Sequence, residues 1–235
     1  MRSIKRIARS ILDIILPRLC PVCRKRLTIN EEGVCFTCLR HMKRTRHEES
    51  PYDNRLARML WGKMKVWKAA AIFIYVPKGY TSRTIYDMKY HGRKSLCTTM
   101  GKIAAAQIEA TGFFDGIDMI VPIPLAKKRK RQRGYNQSEL FAGGISLITG
   151  IPVCTEAVER ISFNTSQTKL THYERAKNVE KAFKVKKTEL IDGKHILLVD
   201  DVFTTGATII SCGNEMAKTQ GVKISVLTLS AVVFH

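Results

Sequence analysis

The residues best suited to chemistry lie in one short run, 195–208, where an apolar segment leads into two carboxylates and a hydroxyl-rich turn. Asp200 and Asp201 could accept hydrogen bonds from sugar hydroxyls, because a carboxylate offers several acceptor positions. The turn that follows holds Thr204, Thr205, Gly206, Ala207 and Thr208. A turn of this kind, opening a helix, presents unpaired backbone N–H groups where the helix dipole favours an anion. A phosphorylated pentose would satisfy both parts of the run.

A plainer interpretation of the same run is a strand-to-helix turn with two solvated aspartates. Adjacent carboxylates at a strand end repel each other without a ligand or a cation, which favours the binding interpretation. The glycine-rich dinucleotide fingerprint and the GxxxxGK[ST] phosphate loop are both absent from the chain. The run therefore predicts a phosphate site of a different type.

A second candidate segment is strongly basic. Cations fill six of the seven positions 127–133, namely Lys127, Lys128, Arg129, Lys130, Arg131 and Arg133. A solvated loop is one explanation, but the segment follows a predicted strand of the same sheet, so we expect it to neutralise a bound pyrophosphate or a nucleic-acid backbone. Arg131 and Arg133 are the candidates for stabilising the departing charge, because a guanidinium group can bind phosphate through two hydrogen bonds.

The N-terminal part of the chain contains two CxxC motifs eleven residues apart. They supply Cys20, Cys23, Cys35 and Cys38. Two such motifs can close a tetrahedral four-thiolate site around a structural Zn²⁺ ion, whereas a redox CxxC is the competing interpretation. Because the seven cysteines are an odd and scattered set, a secreted disulfide framework is disfavoured.

The hydrophobic pattern predicts strands alternating with helices, hence a mainly parallel sheet. Strands are predicted over 69–76, 118–124, 194–199 and 223–233, and helices over 81–90, 95–110 and 135–148. The predicted domain order is an amphipathic N-terminal helix (1–17), a zinc ribbon (18–46), a linker (47–68) and an α/β domain (69–235). In a parallel sheet, ligands bind at the carboxyl ends of the strands, which is where the Asp200–Thr208 segment would lie.

Composition indicates an anionic partner. Forty Lys and Arg residues against twenty Asp and Glu give a formal charge of +20, which suits nucleic acid, polyphosphate or an acidic membrane surface. No segment is apolar for long enough to span a membrane, and we expect a cytoplasmic protein. The first helix either packs on the next module or rests on a membrane or nucleic acid. Four aromatic residues near basic ones, more often core residues, could stack on bases: Trp61, Trp67, Tyr86 and Tyr90.

Two resemblances sharpen these predictions. The run 195–208 resembles the phosphoribosyl pyrophosphate (PRPP) loop of the type I phosphoribosyltransferases. Pro122-Ile-Pro124, the basic segment and Arg133-Gly-Tyr-Asn-Gln137 resemble the motif of the ComF family of competence-associated proteins, whose zinc ribbon the paired CxxC motifs also resemble. The resemblance implies a type I phosphoribosyltransferase-like fold, with a mainly parallel sheet flanked by helices and a small N-terminal zinc ribbon.

The resemblance also implies roles for individual residues. Asp200 and Asp201 would bind the ribose hydroxyls and help hold Mg²⁺, and residues 204–208 would bind the 5′-phosphate. The segment after Pro124 would be the pyrophosphate loop. A flexible loop would close over the ligand, carrying Arg160, Gln167, Arg175 and Asn178.

Two functions stay open at this point. The first is a ComF-like protein that binds Mg²⁺-PRPP and takes part in single-stranded DNA uptake during natural transformation. Its partners would be single-stranded DNA and membrane-associated uptake machinery, at the inner face of the membrane. The alternative is an active phosphoribosyltransferase that transfers phosphoribose to a nitrogen acceptor and releases pyrophosphate.

Overall fold

The computed structural model describes residues 17–161 and 182–232. Helices in this part of the chain are α1 (Phe36–Arg40), α2 (Arg55–Leu60), α3 (Tyr80–Tyr90), α4 (Lys94–Ile108), α5 (Lys127–Arg133), α6 (Gln137–Thr149) and α7 (Ala207–Met216). Strands are β1 (Ala69–Tyr75), β2 (Met119–Pro122), β3 (Val158–Arg160), β4 (Phe183–Val185), β5 (His195–Phe203) and β6 (Lys223–Val232). The predicted helix over 1–17 and the loop residues Gln167, Arg175 and Asn178 lie outside the described residues, apart from residue 17.

The described sheet that carries the candidate site is parallel throughout, as predicted. Its strand order is β1-β6-β5-β2, and β3 and β4 form a separate antiparallel pair. Alternate residues of β5 pack on opposite faces: Leu197 and Val199 belong to one buried cluster, and Ile196 and Leu198 to the other. A strand buried on both faces needs the continuous apolar run that the sequence has here.

The predicted end of the central strand at residue 199 is wrong. β5 continues through both aspartates to Phe203, because β6 runs far enough alongside it to keep pairing. Asp200 pairs with Thr228, and Phe203 pairs with Ala231. The two carboxylates therefore lie on a strand whose backbone is fixed on at least one side.

The basic segment 127–133 is also not the loop that was predicted. It forms α5, which ends where Gly134 adopts a left-handed conformation, with φ of +75°. α6 then begins at Gln137, because the side chain of Asn136 accepts a hydrogen bond from the backbone N–H of Ser138. Cations that would have been scattered along a loop are instead divided between the faces of a helix.

Residues 47–68 are folded onto the sheet, although they were expected to be a linker. α2 buries Leu56 and Leu60, which are 1% and 0% exposed. Asn54 caps this helix through the N–H of Ala57 and also donates to the carbonyl of Ala69 at the start of β1. The segment therefore contributes to the core of the larger domain.

Helices α4 and α6 pack unusually closely through two glycines. A Cβ atom added to Gly101 would lie 2.2 Å from the carbonyl oxygen of Phe141, and one added to Gly144 would lie 2.1 Å from that of Thr98. Only glycine allows backbones to approach this closely. The contact sets the position of α6, whose first turn reaches the candidate site.

Among residues 17–161 and 182–232, no helix combines the length and the apolar character needed to cross a bilayer.

Candidate functional site

A cavity of about 580 Å³ opens at the carboxyl ends of the sheet strands. Asp200 and Asp201 line it from β5, together with Thr204 and Thr208 from the turn that follows. The other walls come from α3, α5, α6 and the residue Arg160 at the end of β3. The structure thus places residues predicted from three separate segments of the sequence around one space.

The two aspartates have different partners. Asp200 accepts a hydrogen bond from the hydroxyl of Ser138 at 2.8 Å, and the backbone N–H of Asp201 also donates to it at 2.9 Å. Asp201 is 7% exposed and pairs with Lys89, whose Nζ lies 3.0 Å from its Oδ1. Lys89 comes from α3, more than a hundred positions earlier in the chain, and the sequence analysis did not identify it. Its only sequence signal is its place near the end of a basic, aromatic helix.

The electrostatic state of Asp200 is unusual for a carboxyl group. Burial, together with the negative charge of Asp201, raises the pKa of Asp200 from 3.8 to about 7. Hydrogen bonds from the Asp201 N–H and from Ser138, and the charge of Lys89, oppose the increase. A cation or a set of hydroxyl donors entering the cavity would favour the ionised form of Asp200.

The turn after β5 is largely exposed and leads directly into a helix. Gly206 adopts a φ of +78°, and a Cβ atom there would meet the ring of Phe203 at 2.6 Å. α7 starts at Ala207, and no side chain of the described residues caps it, although the Ala207 N–H has a long contact of 3.4 Å with the Thr205 hydroxyl. Thr204, Thr205 and Ala207 are exposed. Thr205, Gly206 and Ala207 lie in the turn without lining the cavity itself.

The helical form of the basic segment changes which arginine faces the cavity. Arg129 and Arg133 line it, whereas Arg131 does not. Residues four apart share one face of a helix, while a residue two positions away lies on the opposite side. The structure therefore favours Arg129 together with Arg133 over the predicted pair of Arg131 and Arg133.

Gln137 is a further cavity residue that the sequence analysis quoted only as part of a motif. It is 1% exposed, and its Oε1 accepts a hydrogen bond from Arg133 at 2.8 Å. Its Nε2 donor is buried without a partner among the described residues. An unsatisfied buried donor costs about 1–3 kcal/mol, so this amide is suited to a ligand oxygen.

The four cysteines of the paired motifs come together, as the zinc interpretation requires. Their Sγ atoms all lie within 4.8 Å of one another, and those of Cys23 and Cys35 are 3.7 Å apart. Four sulfurs about 2.3 Å from a tetrahedral Zn²⁺ ion are separated by about 3.8 Å, so the cluster fits that ion. Cys20, Cys35 and Cys38 are buried and Cys23 is exposed. The set leaves no position for a substrate, which is typical of a structural site.

We expect the purified protein to carry about one zinc ion per chain and to lose it on Cys38→Ser substitution, because a closed site needs all four thiolates. Elemental analysis and thermal melting check this. Cys154→Ser, outside the cluster, is the matched control and should keep the metal. A metal-free wild-type protein after gentle purification would contradict the assignment.

The cysteine module contacts α3 through one buried carboxylate. Asp87 is 2% exposed, and its oxygens lie 2.7 Å from His91, 3.4 Å from Arg93 and 3.9 Å from Arg24 of the first CxxC turn. Asp87 also lies two residues before Lys89, which pairs with Asp201. The module is therefore attached to the helix that supplies one wall of the cavity.

Comparison with known proteins agrees with this architecture. A model of the phosphoribosyl transferase domain matches residues 103–232, more than half of the chain. DNA utilization protein YhgH of Escherichia coli (strain K12) is 25% identical over 231 residues, covering 92% of this chain and 98% of the relative.

Two further relatives are named as competence proteins. Competence protein F of Haemophilus influenzae is 28% identical over 85% of this chain and 89% of its own. Competence protein ComFC of Bacillus subtilis is 26% identical over 86% of this chain and 72% of its own. These matches confirm the resemblance to the ComF family, and the fold class is confirmed by the domain match together with the parallel sheet. The chain therefore belongs to the phosphoribosyl transferase domain family, with competence proteins of the ComF type among its relatives.

Proposed function

We propose that the protein binds Mg²⁺-PRPP in the cavity at the carboxyl ends of its sheet. The observation that carries the proposal is that Asp200 and Asp201, Arg129 and Arg133, and the turn residues Thr204 and Thr208 on either side of the start of α7 all line one space of about 580 Å³. An acidic pair suits ribose hydroxyls, an uncapped helix start suits a phosphate, and a pair of arginines suits a diphosphate.

Each part of the ligand has residues of matching chemistry. Thr204–Thr208 receive the 5′-phosphate through backbone N–H groups and hydroxyls, and Asp200 and Asp201 accept hydrogen bonds from the ribose. Arg129 and Arg133 neutralise the diphosphate, and Gln137 positions Arg133 by accepting its hydrogen bond. Arg160 lines the same cavity, where burial lowers its pKa and Asp200 opposes that effect.

The acidic pair also fits a magnesium ion. Carboxylate oxygens are the protein ligands that Mg²⁺ prefers, and Mg²⁺ is usually bound by one or two carboxylates together with substrate phosphates and water. Asp200 and Asp201 would hold the ion directly or through water. The ion, when bound, would neutralise charge on the diphosphate and orient it.

We further propose that the protein works in single-stranded DNA uptake during natural transformation. The names of two relatives, Competence protein F and Competence protein ComFC, support this role. The formal charge of +20 is the independent support, because a polyanion is the partner that such a charge favours. Association with membrane-bound uptake machinery at the inner face of the membrane belongs to the same proposal.

Phosphoribosyl transfer is the second candidate function, and the match to the phosphoribosyl transferase domain, together with the two arginines that line the cavity, favours it. The proton of the attacking nitrogen would pass to solvent or to the departing pyrophosphate. The bond from the anomeric carbon to pyrophosphate would break as the bond to nitrogen forms, through a transition state with oxocarbenium character. Arg129 and Arg133 would stabilise the charge of the leaving pyrophosphate.

Calorimetry with PRPP, with and without Mg²⁺, tests the binding proposal. Saturable, Mg²⁺-dependent heat supports it, and no binding at millimolar ligand would overturn it. Pyrophosphate release in the presence of candidate nitrogen acceptors then separates the two functions. Release above the rate without protein selects the transferase, while tight binding without release selects the binding protein.

Arginine variants provide a matched pair within one helix. We expect Arg129→Ala to weaken Mg²⁺-PRPP binding about tenfold or more, since a hydrogen bond to a charged group contributes about 1.5–3 kcal/mol. Arg131→Ala removes the same charge from the opposite side of α5 and should change the affinity by less than about twofold. Titration calorimetry at fixed ionic strength measures both. Equal losses in the two variants would show that only net charge matters and would contradict the assignment.

A further inference from the structure

A second groove adjoins the PRPP cavity on its basic side. It has a volume of about 560 Å³ and is lined by Lys89, Tyr90, Gly92, Arg129, Gln132 and Arg133. We call it the basic groove. Four of its lining residues, Lys89, Tyr90, Arg129 and Arg133, also line the cavity. The two spaces are therefore joined through shared cations.

The charged residues that line the basic groove are all positive. Three of its lining residues are cations, and no carboxylate among the described residues lines it. Further cations continue along α5, where Lys127, Lys128, Lys130 and Arg131 are all exposed. Within residues 17–161 and 182–232, Arg129 makes no ion pair, whereas Lys130 is paired with Glu139. Such a surface favours an extended polyanion over a single small anion.

Aromatic rings lie beside these cations. Tyr86 and Tyr90 are 55% and 58% exposed, and their ring centroids are 4.8 Å apart. The guanidinium group of Arg133 lies over the Tyr90 ring at 5.1 Å. Exposed aromatic rings that alternate with cations are the arrangement on which unpaired bases stack while the backbone phosphates are neutralised. The bases of a duplex are stacked inside it and cannot reach such rings.

We propose that the basic groove binds single-stranded nucleic acid, and that the strand and Mg²⁺-PRPP compete for Lys89, Arg129 and Arg133. The competition rests on the proposed binding of Mg²⁺-PRPP, and the strand site deepens the proposed role in single-stranded DNA uptake without depending on PRPP. The same three cations cannot neutralise a strand and a diphosphate at once, so each ligand weakens the other by the same factor. The strand would be released when PRPP is abundant.

The test measures fluorescence anisotropy of a labelled oligothymidylate of about 20 nucleotides with the full-length protein. We expect affinity to fall steeply as salt rises from about 50 to about 200 mM, and duplex of the same length to bind more weakly. Saturating Mg²⁺-PRPP should weaken strand binding about tenfold, with ionic strength held constant by added sulfate. In the reverse titration, saturating strand should weaken PRPP binding by the same factor.

Aromatic variants locate the strand site. Tyr86→Ala combined with Tyr90→Ala should weaken strand binding about tenfold or more, because stacking contributes about 1–3 kcal/mol per base. The control is Trp67→Ala, which removes another aromatic residue of similar exposure, 51%. The Nζ of Lys223 lies over its ring at the start of β6, where the amino ends of the strands lie, whereas the cavity is at their carboxyl ends. The control should bind the strand like the wild type.

The unfavourable outcomes are distinct. If the tyrosine variant keeps strand binding, if the Trp67 variant loses as much as the tyrosine variant, or if duplex binds as tightly as single strand, the strand site is overturned. If PRPP binds in calorimetry and leaves strand affinity unchanged, the competition is overturned. If PRPP does not bind at all, the proposed function fails, while the tyrosine and tryptophan variants still decide the strand site.

Discussion

Replacing both aspartates, Asp200→Asn together with Asp201→Asn, is expected to abolish Mg²⁺-dependent binding of PRPP. Each carboxylate would lose charge-assisted hydrogen bonds worth about 1.5–3 kcal/mol, so the affinity should fall at least about a hundredfold. Calorimetry with the folded variant measures the loss. Asp192→Asn, an exposed acidic residue just before β5, is the matched control and should bind like the wild type. A folded double variant with unchanged affinity would refute the assignment of the site.

The single substitution Asp200→Asn adds a stability measurement that does not depend on any ligand. The pKa of Asp200 is raised from 3.8 to about 7, so the folded state binds more protons than the unfolded state between these values. Stability from this group therefore falls as the pH rises from about 4 to about 7. We expect the variant to be more stable than the wild type at pH 8 and to lose that advantage near pH 4. Urea denaturation at pH 8 and at pH 4 measures the difference in stability between the variant and the wild type. The same difference at both pH values would contradict the raised pKa of Asp200.

Gly144→Ala is expected to cause a large loss of stability, about 3 kcal/mol in the free energy of unfolding. Its new Cβ atom would lie 2.1 Å from the carbonyl oxygen of Thr98, a backbone atom that cannot move aside alone. α4 and α6 must separate, and the Ser138 hydroxyl would then move away from Asp200. PRPP affinity should fall together with stability.

Gly143→Ala is the matched control for this substitution, because nothing lies within 4 Å of the added Cβ atom. Alanine has the higher helix propensity, so this variant should gain up to about 1 kcal/mol. Urea denaturation of the two variants gives the comparison. If both lose stability equally, the close approach of the helices is not what requires glycine at residue 144.

The sequence predicted the sheet well because its signal is local. The apolar run 196–199, bounded by turn signals, is typical of a strand buried on both faces, and strands that alternate with helices are typical of a parallel sheet. The end of β5 was missed because pairing with Thr228 and Ala231 of β6 holds the backbone beyond the apolar run. No property of Asp200 or Asp201 themselves reveals that partner.

The candidate site was predicted only in the parts that are continuous in sequence. The run 200–208 and the four cysteines carry their chemistry in their spacing. The guanidinium chemistry that selected Arg131 applies equally to Arg129, and only the helical form of the segment decides which of the two shares a face with Arg133. Lys89 and Gln137 reach the cavity through tertiary packing. No local sequence pattern marks either residue as a cavity residue.

The ion pair between Lys89 and Asp201 has a consequence for the order in which ligands arrive. An ammonium group already occupies part of the acidic pair, so a hydrated divalent ion alone gains little by entering and would first have to displace it. A diphosphate carries negative charge, so the ammonium group of Lys89 can pair with it in place of Asp201. Magnesium should therefore enter the site already bound to the diphosphate. The protein without PRPP should have little affinity for the free ion.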